Sequence, residues 1–320
     1  MVERESLVAS VAQQAIEKMS GDCLVVNDLT FQIFVPNAKR WNRYTFQGKP
    51  ASIWPEGSFD HILIRLHTDK IAMEMLLHAS LSVLKKDGVL WIVGANDEGI
   101  KSWAKHLVSL CEDVETIDIR KRCRVLRAKK KTIVELKDRI DDWWKTTEFL
   151  DQTWNSLPGC FAKGGLDAGT QLLLDVLPSL KTTRRTLDFA CGIGVVASQI
   201  QKYFPDIPID GLDHDVMSVY AARKNLPSSH FFVSDGWHSL PNDRRYDLIV
   251  SNPPFHRGKS EDRNLLEDFI MSAIPRLFRQ SRLVLVTRRQ IPVQKLLKNH
   301  LNKVEMLKKN KQFWVWKAQP

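Results

Sequence analysis

The chain has 320 residues, 43% of them apolar and 26% charged, with a net charge of +10. This length suggests about two globular domains, and no apolar run approaches the roughly 18 residues that a membrane span needs. Glu3, Glu5 and Glu17 argue against a secretory leader at the start. The five cysteines form no Cys-x-x-Cys pair, which favours a reducing compartment over disulfides or a zinc site.

The positive charge is unevenly distributed. Residues 151–320 hold 24 Lys+Arg against 16 Asp+Glu, so they carry +8 of the +10. The first half holds 23 against 21 but concentrates eight basic residues between 120 and 131. Such charge points weakly to a polyanionic partner that contacts both halves.

The first half alternates strand-like and helical patterns after an apolar run at 21–30. The strand-like runs are 59–66, 88–94, 114–119 and 122–128, and the helical patterns are 70–85 and 98–110. We predict an α/β domain over residues 1–128. The charged stretch 129–153, which contains Trp143 and Trp144, is predicted to be a connecting helix anchored by these tryptophans.

The second half shows the same alternation more strongly. The strand-like runs are 185–190, 207–213, 230–235, 246–252 and 282–287, and the helical patterns are 193–203, 214–225, 262–279 and 291–301. Two closing strands, 303–309 and 312–318, must be antiparallel to each other because a tight turn joins them. Residues 154–320 are therefore predicted to form a mainly parallel sheet with helices on both faces.

The two halves share this order of elements, which we interpret as an internal duplication. The run "FDHILIRL" (59–66) corresponds to "YDLIVSN" (246–252), and "GVLWIVG" (88–94) corresponds to "RLVLVT" (282–287). The first copy lacks a glycine loop after its first strand. The alternative is that any two α/β domains share such an order.

A glycine loop follows the first strand of the second half. In "LDFACGIGVVA" (187–197), Gly192 and Gly194 allow a sharp turn into a helix and a close approach by a ligand. Together with Ala197 the spacing also fits the dinucleotide fingerprint, a weak match by itself.

Three aspartates follow the strands in chain order and suggest which ligand the loop binds. Asp188 can reach an amino-acid ammonium group, Asp213 can accept bonds from two ribose hydroxyls, and Asp235 can accept from an adenine amine. An amino acid, a ribose and an adenine together describe S-adenosylmethionine.

The fourth strand ends in the turn "SNPPF" (251–255). Pro253 and Pro254 hold this loop rigid, so that the Asn252 amide oxygen and a loop carbonyl can grip an exocyclic amine. Fixed acceptors there would stabilise the positive charge that develops on nitrogen during methyl transfer. Phe255 offers a face on which a flipped base can stack.

With "LPGCFAKGGLDAGTQLLLDVL" (157–177), this turn resembles the RsmC-like small-subunit ribosomal RNA guanine-N(2) methyltransferases. The resemblance implies two tandem Rossmann-like class I methyltransferase domains. The first would be degenerate and would dock RNA; the second would have a mainly parallel seven-stranded sheet with a closing antiparallel strand. It also implies S-adenosylmethionine as the cofactor and guanine in small-subunit ribosomal RNA as the substrate.

The family's motifs map onto this sequence residue by residue. The residues matching its cofactor motif are Asp188, Gly192, Gly194 and Asp213, and those matching its catalytic motif are Asn252, Pro253, Pro254 and Phe255. Ala190 stands where a loop glycine is usual, and it is expected to line the cofactor, as are Asp235 and Asn252. The pair Lys163-Gly164 also departs from the family pattern.

Further residues are expected to contact the substrate. Phe161, Lys163 and Asp167 precede the first strand in a segment that can close over the cofactor as a lid, with an ordinary interdomain loop as the alternative. His256 is a candidate for base or phosphate, with capping or packing as its alternative. In the basic stretch, strand alternation would put Arg122 and Arg124 on one face, open to RNA phosphates, unless these charges only keep an edge strand soluble.

Other functions remain open at this point. The same turn serves methyl transfer to a large-subunit guanine, an adenine, a cytosine or a protein glutamine. A nicotinamide-dependent oxidoreductase and a non-catalytic RNA-binding assembly factor are the alternatives from other classes. We expect a monomer without metal or membrane contacts, acting in the cytoplasm, with an organellar location left open.

Overall fold

The computed structural model of the chain describes residues 2–160, 165–253 and 259–320. The chain forms two compact units, the first comprising Met1–Tyr44 and Pro50–Trp144 and the second Thr45–Lys49 and Lys145–Pro320. None of the helices in the described ranges is long and apolar enough to span a membrane.

The first unit is built on a six-stranded sheet with the spatial order β2-β1-β3-β4-β6-β5. Its strands are β1 (Cys23–Val26), β2 (Lys39–Trp41), β3 (Phe59–Arg65), β4 (Leu84–Ala95), β5 (Cys111–Arg120) and β6 (Cys123–Lys130). The pairs β2-β1, β1-β3 and β3-β4 are parallel, whereas β6 is antiparallel to both of its neighbours.

Helices cover both faces of this sheet. They are α1 (Val2–Ile16), α2 (Lys70–Val83) and α3 (Ile100–Leu110). Alternate residues of one strand enter different layers, since Val25 packs with α1 and Leu24 with α2 and α3. Helix α2 begins at Lys70 because the Asp69 carboxylate accepts the free N–H groups of the first turn.

The second unit has a seven-stranded sheet with the order β11-β10-β9-β12-β13-β15-β14. Its strands are β9 (Thr186–Phe189), β10 (Ile209–Asp213), β11 (His230–Val233), β12 (Tyr246–Ser251), β13 (Leu277–Arg288), β14 (Asn302–Lys309) and β15 (Phe313–Gln319). Strand β15 lies between β13 and β14, antiparallel to both, and the other pairs are parallel. This confirms the predicted mainly parallel sheet with one closing antiparallel strand.

Five helices and a hairpin complete the second unit. The helices are α4 (Ala168–Leu174), α5 (Val195–Tyr203), α6 (Val216–Asn225), α7 (Lys259–Ala273) and α8 (Val293–His300), and the hairpin strands are β7 (Lys145–Phe149) and β8 (Gln152–Ser156). Strand β13 begins five residues before the predicted run at 282, because a short 3-10 turn with Pro275 ends the preceding helical segment.

The connecting helix predicted over 129–153 is wrong. This stretch contains a 3-10 turn, Ile140–Trp143, and then most of the β7-β8 hairpin. Trp143 is buried against His78, and Trp154 is buried beside Phe149. The helix does not form because Leu150 and Asp151, both with φ 54°, turn the chain into an antiparallel hairpin.

The two sheets use the same anchor at the start of their central strands. The Asp60 carboxylate accepts the N–H of Asp22, just before β1, at 2.9 Å. The Asp247 carboxylate accepts the N–H of Arg185, just before β9, at 3.0 Å. Asp60 and Asp247 are the residues that the comparison of the two halves aligned, so this match supports the duplication.

Candidate active site

Four neighbouring strands end at the same edge of the second sheet. Strands β11, β10, β9 and β12 are adjacent and parallel in this order. Asp235, Asp213, the glycine loop and Asn252 therefore follow one another along the edge. Neighbouring strands are about 4.8 Å apart, so the structure brings together polar groups that lie far apart in the sequence.

The glycine loop leaves β9 through three residues in the left-handed region. The φ angles of Ala190, Gly192 and Gly194 are 62°, 53° and 89°. A Cβ on Gly192 would meet no atom within 4 Å, so there is open space over the loop. Ala190 is the departure from the family's glycine, and its effect falls on the backbone, because a left-handed conformation is unfavourable for alanine.

Asp213 fastens the loop to the end of β10. Its Oδ2 accepts the N–H of Gly192 at 2.9 Å, and its Oδ1 accepts the N–H of Asp215 at 3.0 Å. Burial would raise the pKa of Asp213, but hydrogen bonding and charge from His214, with the backbone bonds, outweigh it and lower that pKa. The carboxylate stays ionised and is suited to accept bonds from hydroxyl groups.

Asp188 is more deeply buried, with 1% of its surface exposed. Its Oδ2 accepts the N–H of Ala197 in helix α5 at 2.9 Å. Burial raises the pKa of Asp188 to about 7, a shift that the Ala197 bond opposes and the charge of Asp213 increases. A nearby cation would favour the carboxylate form, so contact with an ammonium group stays a prediction that this environment supports.

Asp235 lies beyond the end of β11 and contacts a segment that the sequence places in the first half. Its Oδ2 accepts the N–H of Gln47 at 2.8 Å, and the N–H of Thr45 donates to the carbonyl of His214 at 2.9 Å. Residues Thr45–Lys49 belong to the second compact unit. Sequence patterns gave no sign of this segment, because its contacts are distant along the chain.

Asn252 follows β12 with its side chain half-buried. Its Nδ2 donates to Thr170 Oγ1 at 2.9 Å, and both Asp167 oxygens lie at 3.4 Å from the same nitrogen. Asp167 also caps α4 by accepting the N–H groups of Gly169 and Thr170. Asp167 was predicted to contact the substrate, and its observed contacts are to protein groups. Thr170 was not predicted at all.

A small cleft opens beside Asn252. The residues that line it are Asn252, Pro253, Val286, Thr287, Arg288, Ile291 and Phe313. The Thr287 hydroxyl is buried, and no described group forms a hydrogen bond with it. Arg288 is exposed at the end of β13. Sequence reasoning missed Thr287 and Arg288, although the predicted strand 282–287 ends at Thr287, at the same edge of the sheet.

Five predicted site residues fall outside the described ranges. They are Phe161, Lys163, Pro254, Phe255 and His256. Their roles stay predictions. Pro253 is described and buried directly after Asn252.

The predicted shared face of Arg122 and Arg124 does not arise as expected. Arg122 lies in the turn before β6 with φ 59°, so strand alternation does not fix its direction. The Nε of Arg124 donates to Asn96 Oδ1 at 2.9 Å. Other basic side chains of the stretch have acceptors in the same unit: Arg120 on Asp118, Lys121 on Ser10, Arg127 on Glu115, Lys129 on Asp113, Lys130 on Leu81 and Leu84, and Lys131 on Val108 and Ser109. Much of this charge therefore stabilises its own unit.

No group of three or more metal-ligating side chains that could hold an ion occurs in the part of the chain that the structure describes.

Two family models match the chain. The model described as "Methyltransferase small domain" matches residues 151–317, and "Methyltransferase small domain N-terminal" matches residues 12–147. The first match covers more than half of the chain and contains the strand ends, the glycine loop and Asn252.

Named relatives extend the likeness over both units. Ribosomal RNA small subunit methyltransferase C of Alteromonas mediterranea is 32% identical, with 82% of this chain and 74% of the relative covered. The protein of the same name from Hahella chejuensis is 27% identical, with 98% and 91% covered. The solved 16S rRNA N2 methyltransferase RsmC of T. thermophilus, in complex with AdoMet and guanosine, superposes with a TM-score of 0.84 at 21% identity, covering 98% and 91%.

The solved structure shares the two-domain fold, and the curated relatives share enough sequence to establish the family. The resemblance to the RsmC-like methyltransferases is confirmed. S-adenosylmethionine, the cofactor that this resemblance implied, is confirmed as the cofactor of the family. The chain belongs to the ribosomal RNA small subunit methyltransferase C family.

Proposed function

We propose that this protein transfers a methyl group to the exocyclic N2 of a guanine in small-subunit ribosomal RNA. The observation that carries the proposal is the Asn252 amide at the end of β12, beside the buried acids of the neighbouring strand ends. The family's activity supplies the reaction class, which is methyl transfer to ribosomal RNA. We propose in addition that the accepting atom is the exocyclic N2 of guanine.

The strand ends suit S-adenosylmethionine better than a dinucleotide. Two buried carboxyl groups, Asp188 and Asp213, lie on either side of the glycine loop, where a pyrophosphate would be repelled. Asp213 is positioned for hydroxyl groups and Asp188 for a cation. The open space over Gly192 leaves room for a ligand to approach the backbone. When bound, S-adenosylmethionine supplies an electrophilic methyl group on a sulfonium.

Asn252 is proposed to orient the accepting amine. Its Oδ1 accepts an N–H of the amine and directs the nitrogen lone pair to the methyl carbon. As the N–C bond forms, the S–C bond breaks, its electron pair stays on sulfur, and the nitrogen then gives one proton to water. Positive charge grows on nitrogen before that proton leaves, and a fixed amide oxygen stabilises it without reorganisation.

The cleft beside Asn252 is proposed to border the place that receives the base. Ile291 and Phe313 offer apolar surface there. Arg288 at the mouth is positioned for a phosphate, a contact that holds RNA without reading its sequence. Phe255 stays a candidate for base stacking.

The first unit is proposed to dock RNA without binding a cofactor of its own. It has no glycine loop after β1, and Arg122 is exposed at one end of its sheet. Small-subunit RNA or an assembling subunit would then be the partner, and the cytoplasm the place of action.

The test is nucleoside mass spectrometry of ribosomal RNA from a strain lacking the gene. We expect N2-methylguanosine to fall in small-subunit RNA, to return with the wild-type gene, and not to return with Asn252→Ala at matched protein levels. Loss of a methylated adenine or of a large-subunit nucleoside would replace the proposed substrate. Methylation of a protein glutamine would replace the substrate class, and unchanged RNA with tight binding of NAD would overturn the proposal.

A further inference from the structure

The Asn252 amide is held by a short chain of hydrogen bonds that the family's catalytic turn does not include. Thr170 Oγ1 donates to Asp167 Oδ2, and Asn252 Nδ2 donates to Thr170 Oγ1 at 2.9 Å. Thr170 is 7% exposed, in the first turn of α4, and lies 82 residues before Asn252. These contacts are all within the second unit.

The chemistry of these groups fixes the direction of each bond. An ionised carboxylate only accepts, and a threonine hydroxyl has one proton. Because Thr170 gives that proton to Asp167, its oxygen can only accept from Asn252. The amide must therefore turn its NH2 group towards Thr170, and both Asp167 oxygens at 3.4 Å favour the same orientation. A flipped amide would place its oxygen against acceptors alone.

We infer that Asp167 and Thr170 are positioning residues that fix the Asn252 amide with its oxygen directed away from them, ready to accept the substrate amine. The inference rests on the proposed function, in which that oxygen receives the amine. Free asparagine amides occupy both orientations, and the wrong one would present a donor to another donor. The chain Asp167–Thr170–Asn252 removes this choice before the substrate arrives.

The same chain strengthens the amide oxygen as an acceptor. Hydrogen bonds in series polarise one another, and an ionised group at one end increases the effect. The negative charge of Asp167 therefore shifts electron density in the Asn252 amide towards Oδ1. This is the atom that faces the positive charge developing on nitrogen in the transition state.

The local backbone holds Asp167 in place. Its Oδ1 accepts the N–H of Gly169 at 2.9 Å and that of Thr170 at 3.2 Å. A Cβ on Gly169 would lie 3.1 Å from Asp167 Oδ1 and 3.3 Å from the Phe313 ring. Gly169 thus allows the carboxylate to sit close over the start of α4, and the helix cap and the positioning chain share one side chain.

The test measures transfer of labelled methyl groups from S-adenosylmethionine to small ribosomal subunits from a strain lacking the gene. Counting label in total RNA makes the readout independent of which base is modified. Thr170→Val removes the hydroxyl at constant volume, and we expect kcat to fall about tenfold, the value of one lost hydrogen bond. The Kd for S-adenosylmethionine should stay close to wild type, and the thermal midpoint should fall by no more than a few degrees, because the hydrogen bond to Asp167 is also lost.

Three further variants separate positioning from general damage. Thr170→Ser keeps the hydroxyl and should recover most of the lost rate. Asp167→Asn keeps a helix cap but can donate to Thr170, so kcat should fall although α4 stays capped. Gln171→Ala, on the exposed side of the same helix, is the matched control that should not change the rate.

A double-mutant cycle decides the inference. If Thr170 acts only through Asn252, then Thr170→Val should have no further effect in an Asn252→Ala background. Full additivity of the two losses, or an unimpaired Thr170→Val enzyme, would overturn the inference while leaving the proposed function intact. Absence of any transfer by the wild-type protein would overturn the proposed function and this inference with it.

Discussion

The two sheets of this protein end differently at matched positions. Strand pairing places Val26 beside Ile64 in the first sheet and Phe189 beside Ser251 in the second. Val26 therefore corresponds to Phe189, and Ile64 corresponds to Ser251. By this register Arg65 is the counterpart of Asn252. One sheet has a buried guanidinium where the other has a half-buried amide at the edge of a cleft.

The acids of the second sheet also have neutral counterparts in the first. Val25 corresponds to Asp188, and both side chains are almost fully buried. Asn42, just after β2, corresponds to Asp213. The first sheet therefore keeps the register of the second but lacks the two carboxyl groups that are proposed to bind the cofactor.

Arg65 fills the corresponding place in the first unit. Its guanidinium donates to Glu5 at 2.8 and 2.9 Å and to Glu98 at 2.7 Å, and its side chain is 5% exposed. Burial alone would lower the pKa of Arg65, but the bonds and charges of the two glutamates outweigh burial and raise it. An ion cluster of Arg65, Glu5 and Glu98 thus lies where the second sheet has the Asn252 amide.

The largest expected effect breaks this cluster. Arg65→Met leaves the Glu98 carboxylate with only the half-exposed Arg4 as a cationic partner, at 4.0 Å, and takes its partner from the partly buried Glu5. The free energy of unfolding should fall by about 3 kcal/mol, the lower end of the cost of breaking a buried pair. Urea unfolding measures the loss, and Lys129→Ala is the control because Lys129 is partly exposed and pairs with exposed Asp113.

Two further outcomes are expected for Arg65→Met. Acidic buffer should restore part of the stability of Arg65→Met, because protonation removes the uncompensated charges of the two glutamates. The Kd for S-adenosylmethionine should not change. A loss of cofactor affinity in Arg65→Met would mean that the first sheet takes part in cofactor binding.

The matched change in the second sheet should affect catalysis more than stability. Asn252→Ala removes an acceptor that acts mainly in the transition state, so methyl transfer should fall on the order of a hundredfold. Single-turnover kinetics with saturating S-adenosylmethionine measures the rate, and calorimetry with S-adenosylhomocysteine measures cofactor affinity. If affinity falls as much as the rate does, the turn supports the cofactor site instead of the reaction.

The succession of strands and helices and the mainly parallel sheet could be predicted from the sequence because the central strands are buried on two faces. Such apolar runs with helical patterns between them favour a parallel sheet. The glycine loop and the acids were also visible, because they lie in or directly after those runs. Asp188, Asp213 and Asn252 could therefore be predicted as a set from the sequence, and the structure places them at one edge of the sheet.

The rest depended on contacts between distant segments. Gln47 reaches Asp235 across 188 residues, and Thr170 reaches Asn252 across 82. The predicted connecting helix failed because β7 and β8 pair as a hairpin in which Trp154 is buried beside Phe149, and this burial outweighs the helical pattern of the charged residues. Local patterns predict elements, and they do not predict which side chains meet.

A change in pH should distinguish the buried acid of the second sheet from its valine counterpart. Below pH 7 the Asp188 carboxyl is protonated, and a bound cation favours the carboxylate, so binding releases a proton. Affinity for S-adenosylmethionine should rise as pH increases through about 7 and then level off. Calorimetry in two buffers of different ionisation enthalpy counts the proton.

Asp188→Asn provides the control for that titration. The amide can still accept the Ala197 N–H, but it cannot ionise, so the variant should bind more weakly and lose the pH dependence. The free energy of unfolding of the wild-type protein should fall as pH rises, whereas its affinity for S-adenosylmethionine should increase. The raised pKa of Asp188 costs the folded state stability as pH rises from about 4 to about 7, and the variant should not show that loss. If the variant keeps the pH dependence of binding, another group, with His214 as the first candidate, is responsible.

The smallest expected effect concerns the first residue after the central strand, which is left-handed in both sheets. Asn27 in the first sheet has φ 61° and Ala190 in the second has φ 62°. Asparagine tolerates this region, whereas alanine is disfavoured there by about 1–2 kcal/mol relative to glycine.

Ala190→Gly removes the strain but gives the unfolded chain more freedom, which offsets about 0.4–1 kcal/mol. The net gain should therefore lie between about 0 and 1.6 kcal/mol, seen as a thermal midpoint higher by at most a few degrees. Asn27→Gly in the first sheet is the matched comparison and should give a smaller gain or a loss, because Asn27 Nδ2 also donates to the Arg65 carbonyl at 2.8 Å. Equal gains at both positions would show that the two loops are strained alike, and that the replacement of glycine in the second sheet has no particular cost.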